Sequence, residues 1–318
     1  MVGSRPRGPC TEYRLTPLTN DLNLSEIKMT DRLKGLALSL GGIILLSPDS
    51  LILRLINADV WTMVFWRGSL SALGLLVMIG LIERQLPLRA MLRVGAHGAW
   101  VALSFAVSAL AFVFAILNTA VANALVIMSS SPLIAALLGF ALFNQRTAAT
   151  TWIAAMAIAI GLAIVFLGSL ETGRMPGDLS AFAASCALAF CFVMIQRHRE
   201  VSMLPSLAWS GILVSLIVLP LASPSSVAGQ TFALTILLCL FIVPISMGMI
   251  ALSPRYLSAP EVSLVMRLEV LLAPLWVWLV LEEMPSMQTL IGGTIIFLTL
   301  IALSIVTLRQ GRRPIPAR

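Results

Sequence analysis

The 318-residue chain is 59% hydrophobic and only 11% charged, and its mean hydropathy is +0.98. Soluble domains are about 45–50% apolar and about 25% charged, so this composition excludes a soluble globular protein. The net charge is +7, but the basic residues lie at the ends of apolar stretches, where membrane topology accounts for them. No nucleic-acid partner is therefore expected.

Ten apolar stretches follow one another along the chain, each long enough to cross the roughly 30 Å hydrocarbon core as a helix. Helices satisfy their own backbone polar groups in lipid, and stretches of this length favour helices over barrel strands. The predicted fold class is all-α integral membrane, with ten transmembrane helices called spans 1 to 10. They are predicted at 33–54, 60–82, 95–116, 118–143, 151–168, 178–195, 206–222, 231–253, 260–281 and 288–308.

The chain divides near its middle into two sets of five spans. Sliding the sequence by 138 residues aligns spans 4 and 5 with spans 9 and 10 without a gap, so that Thr151 meets Thr289. Five spans repeated once must insert with opposite orientations, which predicts inverted repeats. The predicted domains are a disordered cytoplasmic tail at 1–32, a first five-helix repeat at 33–168, a linker loop at 169–177, a second five-helix repeat at 178–308 and a basic cytoplasmic tail at 309–318.

The distribution of Lys and Arg predicts the orientation. With both termini in the cytoplasm, seventeen of the 21 Lys and Arg residues lie on the cytoplasmic side and only Arg174 lies on the other. Residues 1–32 lack the apolar segment of a signal peptide, and Met29 would be an ordinary start just before span 1. The expected location is the plasma (inner) membrane of a bacterium.

Four segments of the sequence resemble the EamA repeat of the drug/metabolite transporter superfamily. In the first half these are Asn123–Pro132 and Phe143–Thr147, followed by Trp152 and Gly161; in the second half they are Leu268-Glu269 leading into Ala273–Trp278, and then Glu283–Gly293. The resemblance covers about 33–308. It implies two inverted EamA-like five-helix repeats and the export or exchange of small metabolites.

Two positions depart from that family pattern. Gln145 stands where an acidic residue usually ends span 4, and Val270 stands where a proline usually follows the glutamate of span 9. If the acidic position serves proton coupling in relatives, Gln145 does not do so here.

Charged side chains inside spans cost about 2.5–3.5 kcal/mol each on insertion scales, so each one needs a partner or a water-filled cavity. Asp49 and Arg67 lie in neighbouring antiparallel spans, both about 6–8 Å to the outer side of the midplane, and are predicted to pair. Three roles stay open for them: a structural ion pair, an anion site at Arg67, or a proton site at Asp49.

Glu269 lies near the middle of span 9 and is the foremost candidate for binding substrate or a proton. Arg267 is two residues earlier, about 200° away around a helix, so the two side chains do not face each other. Asn123 and Trp276 are weaker candidates, the first within a polar patch and the second as part of an aromatic pocket.

The prediction that follows is a secondary active transporter, working by alternating access and driven by a proton or substrate gradient. No catalytic residues, cofactor or metal are predicted. The expected partners are a small-molecule substrate and the lipid bilayer, with a homodimer left open. The alternative is an integral membrane enzyme acting on lipid-like substrates, although no cluster of Asp, His or Arg has a suitable spacing for one.

Overall fold

The structure, a computed structural model, describes residues 20–82, 95–143, 149–197, 204–253, 256–257 and 265–311. Within these ranges, eight helical segments are long and apolar enough to cross a membrane, and two shorter apolar helices accompany them. This confirms an all-helical, multi-pass membrane protein. The helices are α1 (Asn20–Leu46), α2 (Asp49–Ile56), α3 (Val60–Ile82), α4 (Gly95–Asn118), α5 (Val121–Met128), α6 (Ser131–Phe143), α7 (Ala149–Thr172), α8 (Met175–Arg197), α9 (Leu204–Val218), α10 (Gly229–Ile236), α11 (Val243–Leu252), α12 (Glu269–Leu281) and α13 (Met287–Gly311).

Two predicted boundaries are wrong. The first helix begins at Asn20 and not near residue 33, because residues 20–32 combine good helix formers with acidic residues at the start, which suit a helix N-terminus. The predicted linker loop at 169–177 shrinks to Gly173 and Arg174. Gly173 has a φ of 69° and ends α7 in a left-handed turn, while Pro176 is tolerated in the first turn of α8.

The last tail also begins later than predicted, since α13 continues to Gly311. Residues 1–19 and 312–318, which hold most of the two predicted tails, lie outside the described residues. So do Gln145, residues 258–264 of span 9 and several of the basic segments that predict the orientation.

Four spans are interrupted near the middle of the membrane. Span 1 breaks at Ser47-Pro48 between α1 and α2, because proline has no N–H to continue the helical ladder. Spans 4 and 9 break at two-residue turns. In span 8 the segment Leu237–Ile242 is a π-helix directly before Pro244, and the hydroxyl of Ser71 donates a 3.0 Å hydrogen bond to the carbonyl of Cys239.

The breaks in spans 4 and 9 recur at the predicted 138-residue offset. The half-helix α6 covers residues 131–143 and α12 covers residues 269–281, so both ends shift by 138. The next helices start at Ala149 and Met287, which are again 138 residues apart. Two halves of the chain therefore break and resume their helices at matching places.

Helix packing follows the same correspondence. Span 3 packs on span 6 and span 1 packs on span 8, so that replacing each span by the one five places along converts the first contact into the second. Spans 5 and 10 approach at Gly161 and Gly292. A Cβ at Gly161 would lie 2.9 Å from the Gly292 carbonyl oxygen, so only glycine allows this distance.

The short connections after spans 1, 3, 5, 7 and 9 lie together at one face, which we call the distal face. Hydrogen bonds and ion pairs join these connections to one another; Ser223, for example, donates its N–H to the Thr62 hydroxyl at 2.9 Å. The predicted orientation puts this face outside the cell.

Candidate functional site

A buried ion pair joins spans 1 and 2 near the centre of the protein. Asp49 is the first residue of α2, where the N-terminal end of the helix dipole favours a carboxylate. Arg67 of α3 reaches it with two parallel contacts, Nη1 to Oδ1 at 2.6 Å and Nη2 to Oδ2 at 2.8 Å. The side chains are 5% and 15% exposed, respectively. The predicted pairing is confirmed, and its geometry is bidentate.

An aromatic ring covers one side of this pair. The guanidinium carbon of Arg67 lies 5.4 Å from the centroid of the Phe112 ring, within the range of a cation–π interaction. On another side the fully buried thiol of Cys239, within the π-helical segment of span 8, interacts electrostatically with both members of the pair. Spans 1, 2, 3 and 8 thus enclose the guanidinium and the carboxylate.

Glu269 adds a third charge to this centre. It is the first residue of α12, directly after the break in span 9, and it interacts electrostatically with both Asp49 and Arg67. Among the described residues, however, no side chain forms a hydrogen bond or a salt bridge with the Glu269 carboxylate. The break in span 9 therefore presents an acidic group beside an ion pair that is already complete.

The other two candidates of span 9 differ in what they contact. Arg267 lies in the turn before α12, and its Nε has no hydrogen-bond partner in the described part of the chain. Trp276 is seven residues after Glu269, on the same face of α12, and its indole N–H donates a 2.9 Å hydrogen bond to the Ser47 hydroxyl. The face of α12 that carries Glu269 and Trp276 is thus directed at the break in span 1.

Asn123 lies in a separate group at the distal face, which we call the distal cluster: Thr119, Asn123, Ser169, Asp178 and Thr289. The buried Asp178 carboxylate accepts hydrogen bonds from Thr119, Ser169 and Asn123. Asn123 also donates to Ser169 at 3.0 Å and accepts from the Thr289 hydroxyl. These contacts join the ends of spans 4 and 5 to the starts of spans 6 and 10.

An ionic group reinforces the same face. Glu283, in the connection after α12, lies 3.5 Å from Arg54 at the end of span 1 and 3.7 Å from Arg174 between α7 and α8. The Arg54 guanidinium also donates to the backbone carbonyl of Thr119, whose hydroxyl belongs to the distal cluster. Arg54, Glu283 and Arg174 are called the distal ionic latch below.

The structure therefore brings together Asp49, Arg67, Glu269 and, through Ser47, Trp276. It places Asn123 in the distal cluster and leaves Arg267 in the turn. Sequence reasoning missed the partners of Asp178 and the latch. One available signal was Asp178 itself, an acidic residue in the first turn of a predicted span.

The fold and the central charges define the class first: this is a multi-pass helical membrane protein with interrupted helices around buried ionisable groups. Residues 175–305 match the EamA-like transporter family. The predicted resemblance is thereby confirmed, and the matching region is the second half of the chain.

Among solved structures, one described as "Crystal structure of protein" covers 89% of this chain and 99% of its own, with a TM-score of 0.58 and 16% sequence identity. At this identity the likeness shows the fold alone. No curated protein sequence matches the chain.

Proposed function

We propose that this protein is a secondary carrier of the bacterial inner membrane. It exports or exchanges a small metabolite by alternating access between two inverted five-helix halves, with both termini in the cytoplasm. A proton or substrate gradient supplies the driving force. The observation that carries the proposal is the acidic group at the break of span 9, held beside a complete ion pair in a membrane-embedded, EamA-like segment.

The matched helix breaks support the two-halved mechanism. Broken helices with binding groups at the midplane are a recurring device of secondary transporters built from inverted repeats. Here the half-helices α6 and α12 have the same length and the same 138-residue relation as the helices that follow them. The five-place exchange of helix contacts fits two halves that can rock against each other.

The distal contacts support one particular state of the cycle. The latch links span 1 to the connection after span 9, and the distal cluster links span 4 to spans 6 and 10. Each link crosses from one proposed half to the other. The structure thus corresponds to a conformation with its distal side closed, and opening to that side must separate these groups.

Counterflow in reconstituted vesicles tests the carrier. Purified protein is first screened by thermal shift against amines, amino acids, organic acids and sugars, and the stabilising compounds are then tested as labelled tracers. A carrier accumulates external tracer transiently when the vesicles hold an excess of the same unlabelled compound. A channel gives simple equilibration, and an enzyme gives a chemically altered product. Either result would exclude the proposal.

Replacing Glu283 with Gln is expected to favour opening at the distal face. Two partly exposed ion pairs are together worth about 1 kcal/mol, so their loss changes the closed-to-open ratio about fivefold. The readout is labelling of Cys239 by a membrane-impermeant maleimide added from the distal side, in a variant whose other cysteines are replaced. The labelling rate should rise about fivefold.

The control for that experiment is the neighbouring carboxylate. Glu282 is exposed, ends α12 in a left-handed turn, and makes no ion pair in the described part of the chain. Glu282→Gln should leave the labelling of Cys239 unchanged. Equal rates for Glu283→Gln and Glu282→Gln would show that the latch does not hold the distal side closed.

A further inference from the structure

The charges at the centre of the protein do not cancel. Asp49 and Arg67 neutralise each other through two contacts, so both carboxylate oxygens and both terminal nitrogens are already used. Phe112 covers a face of the guanidinium. The pair is therefore internally satisfied, and it offers neither a free anion site nor a free carboxylate. Glu269 remains as one additional negative charge.

No other cation offsets Glu269 within the described residues. Of the elements that pack on α12, α2 carries Asp49 and Arg54, and Arg54 binds Glu283 at the distal face. The half-helix α5 carries no ionisable residue, and α1 contributes Lys34 near its far end. From α3 comes only Arg67, which is committed to Asp49. Arg267 of the same span forms no salt bridge with Glu269.

A lone carboxylate in the membrane interior costs several kcal/mol unless something neutralises it. A proton or a bound cation removes that cost, whereas an anionic ligand would add a second negative charge. Trp276 shares the face of α12 with Glu269, and Phe112 borders the adjacent pair. Aromatic faces favour an organic cation over a small hydrated ion.

We propose that Glu269 is a shared site at which a proton and a monovalent organic cation exclude each other, so that the carrier exchanges one for the other. This inference rests on the proposed function and names its substrate class. The carboxylate of Glu269 holds one of the two ligands at a time. Release of the cation on one side is followed by protonation, and the proton leaves on the other side before the next cation binds.

The test uses dicyclohexylcarbodiimide, an apolar reagent that modifies protonated carboxyl groups in membranes. Purified protein is treated over a range of pH values with and without phenyltrimethylammonium, tetraethylammonium or tetraphenylphosphonium, and adducts are located by peptide mass spectrometry. These cations have no amine that could react with the activated carboxyl group. We expect modification at Glu269 that falls as pH rises, and at least tenfold slower modification with one or more of the cations.

The controls separate charge from shape. Tetraphenylborate has the size and shape of tetraphenylphosphonium with the opposite charge, and tert-butylbenzene is the neutral isostere of phenyltrimethylammonium; neither should protect Glu269. Protection by no cation, equal protection by tetraphenylborate, or no adduct on Glu269 at any pH would each overturn the inference. Counterflow of an anion or sugar without cation protection would keep the carrier and reject its substrate class. Cation protection without counterflow of any compound would do the reverse.

Discussion

Transport is expected to fall at least a hundredfold when Glu269 is replaced by Gln. Glutamine keeps the size of the side chain and its hydrogen-bonding atoms, but it neither carries a negative charge nor exchanges a proton. The fold should survive, because Glu269 makes no hydrogen bond or salt bridge among the described residues that the change would break. Removing a lone charge from the membrane interior should even raise thermal stability slightly.

Two measurements check this expectation. Counterflow in vesicles reports transport, and size-exclusion chromatography after a heating series reports folding. Glu282→Gln changes an exposed carboxylate thirteen residues later in the chain and should keep full activity. Glu269→Asp retains the charge on a shorter side chain and should keep part of the activity. Normal transport by a correctly folded Glu269→Gln protein would remove this residue from the mechanism.

The ion pair could be predicted because helical rise fixes depth. Asp49 and Arg67 occur at matching distances from the middle of two antiparallel neighbouring spans, and this suffices to bring them to one level. The break at Pro48 and the offset of 138 residues were likewise visible, since proline and recurring spacing are local features of the chain. Even the start of α13, at Met287, follows from the start of α7.

The distal cluster could not be predicted in the same way. The partners of Asn123 come from the ends of three other helices, and a contact between helices depends on how each is rotated about its axis. These spans are apolar all round, so hydropathy does not say which face meets protein and which meets lipid. The π-helix at Leu237–Ile242 was missed because its cause lies partly in Ser71 of another span.

Replacing Asp49 with Asn is expected to cause the largest loss of stability. The Arg67 guanidinium would remain buried without its carboxylate, and breaking one side of a buried pair typically costs about 3–5 kcal/mol. Arg67→Gln should be similarly harmful, since it leaves two carboxylates near each other. Melting curves of the detergent-solubilised protein measure both effects. Arg174→Gln, which changes a half-exposed cation at the distal face, should cost less than about 1 kcal/mol.

Combining Asp49→Asn with Arg67→Gln distinguishes a bracing role from a binding role. The double variant removes both charges together, so most of the lost stability should return, and the central charge is again set by Glu269 alone. Cation exchange should then recover too, because in Asp49→Asn the released Arg67 neutralises Glu269 and blocks the site. Stability without transport in the double variant would mean that the pair itself contacts the substrate. Wild-type stability in the Asp49→Asn variant would mean that the pair does not brace the two helices.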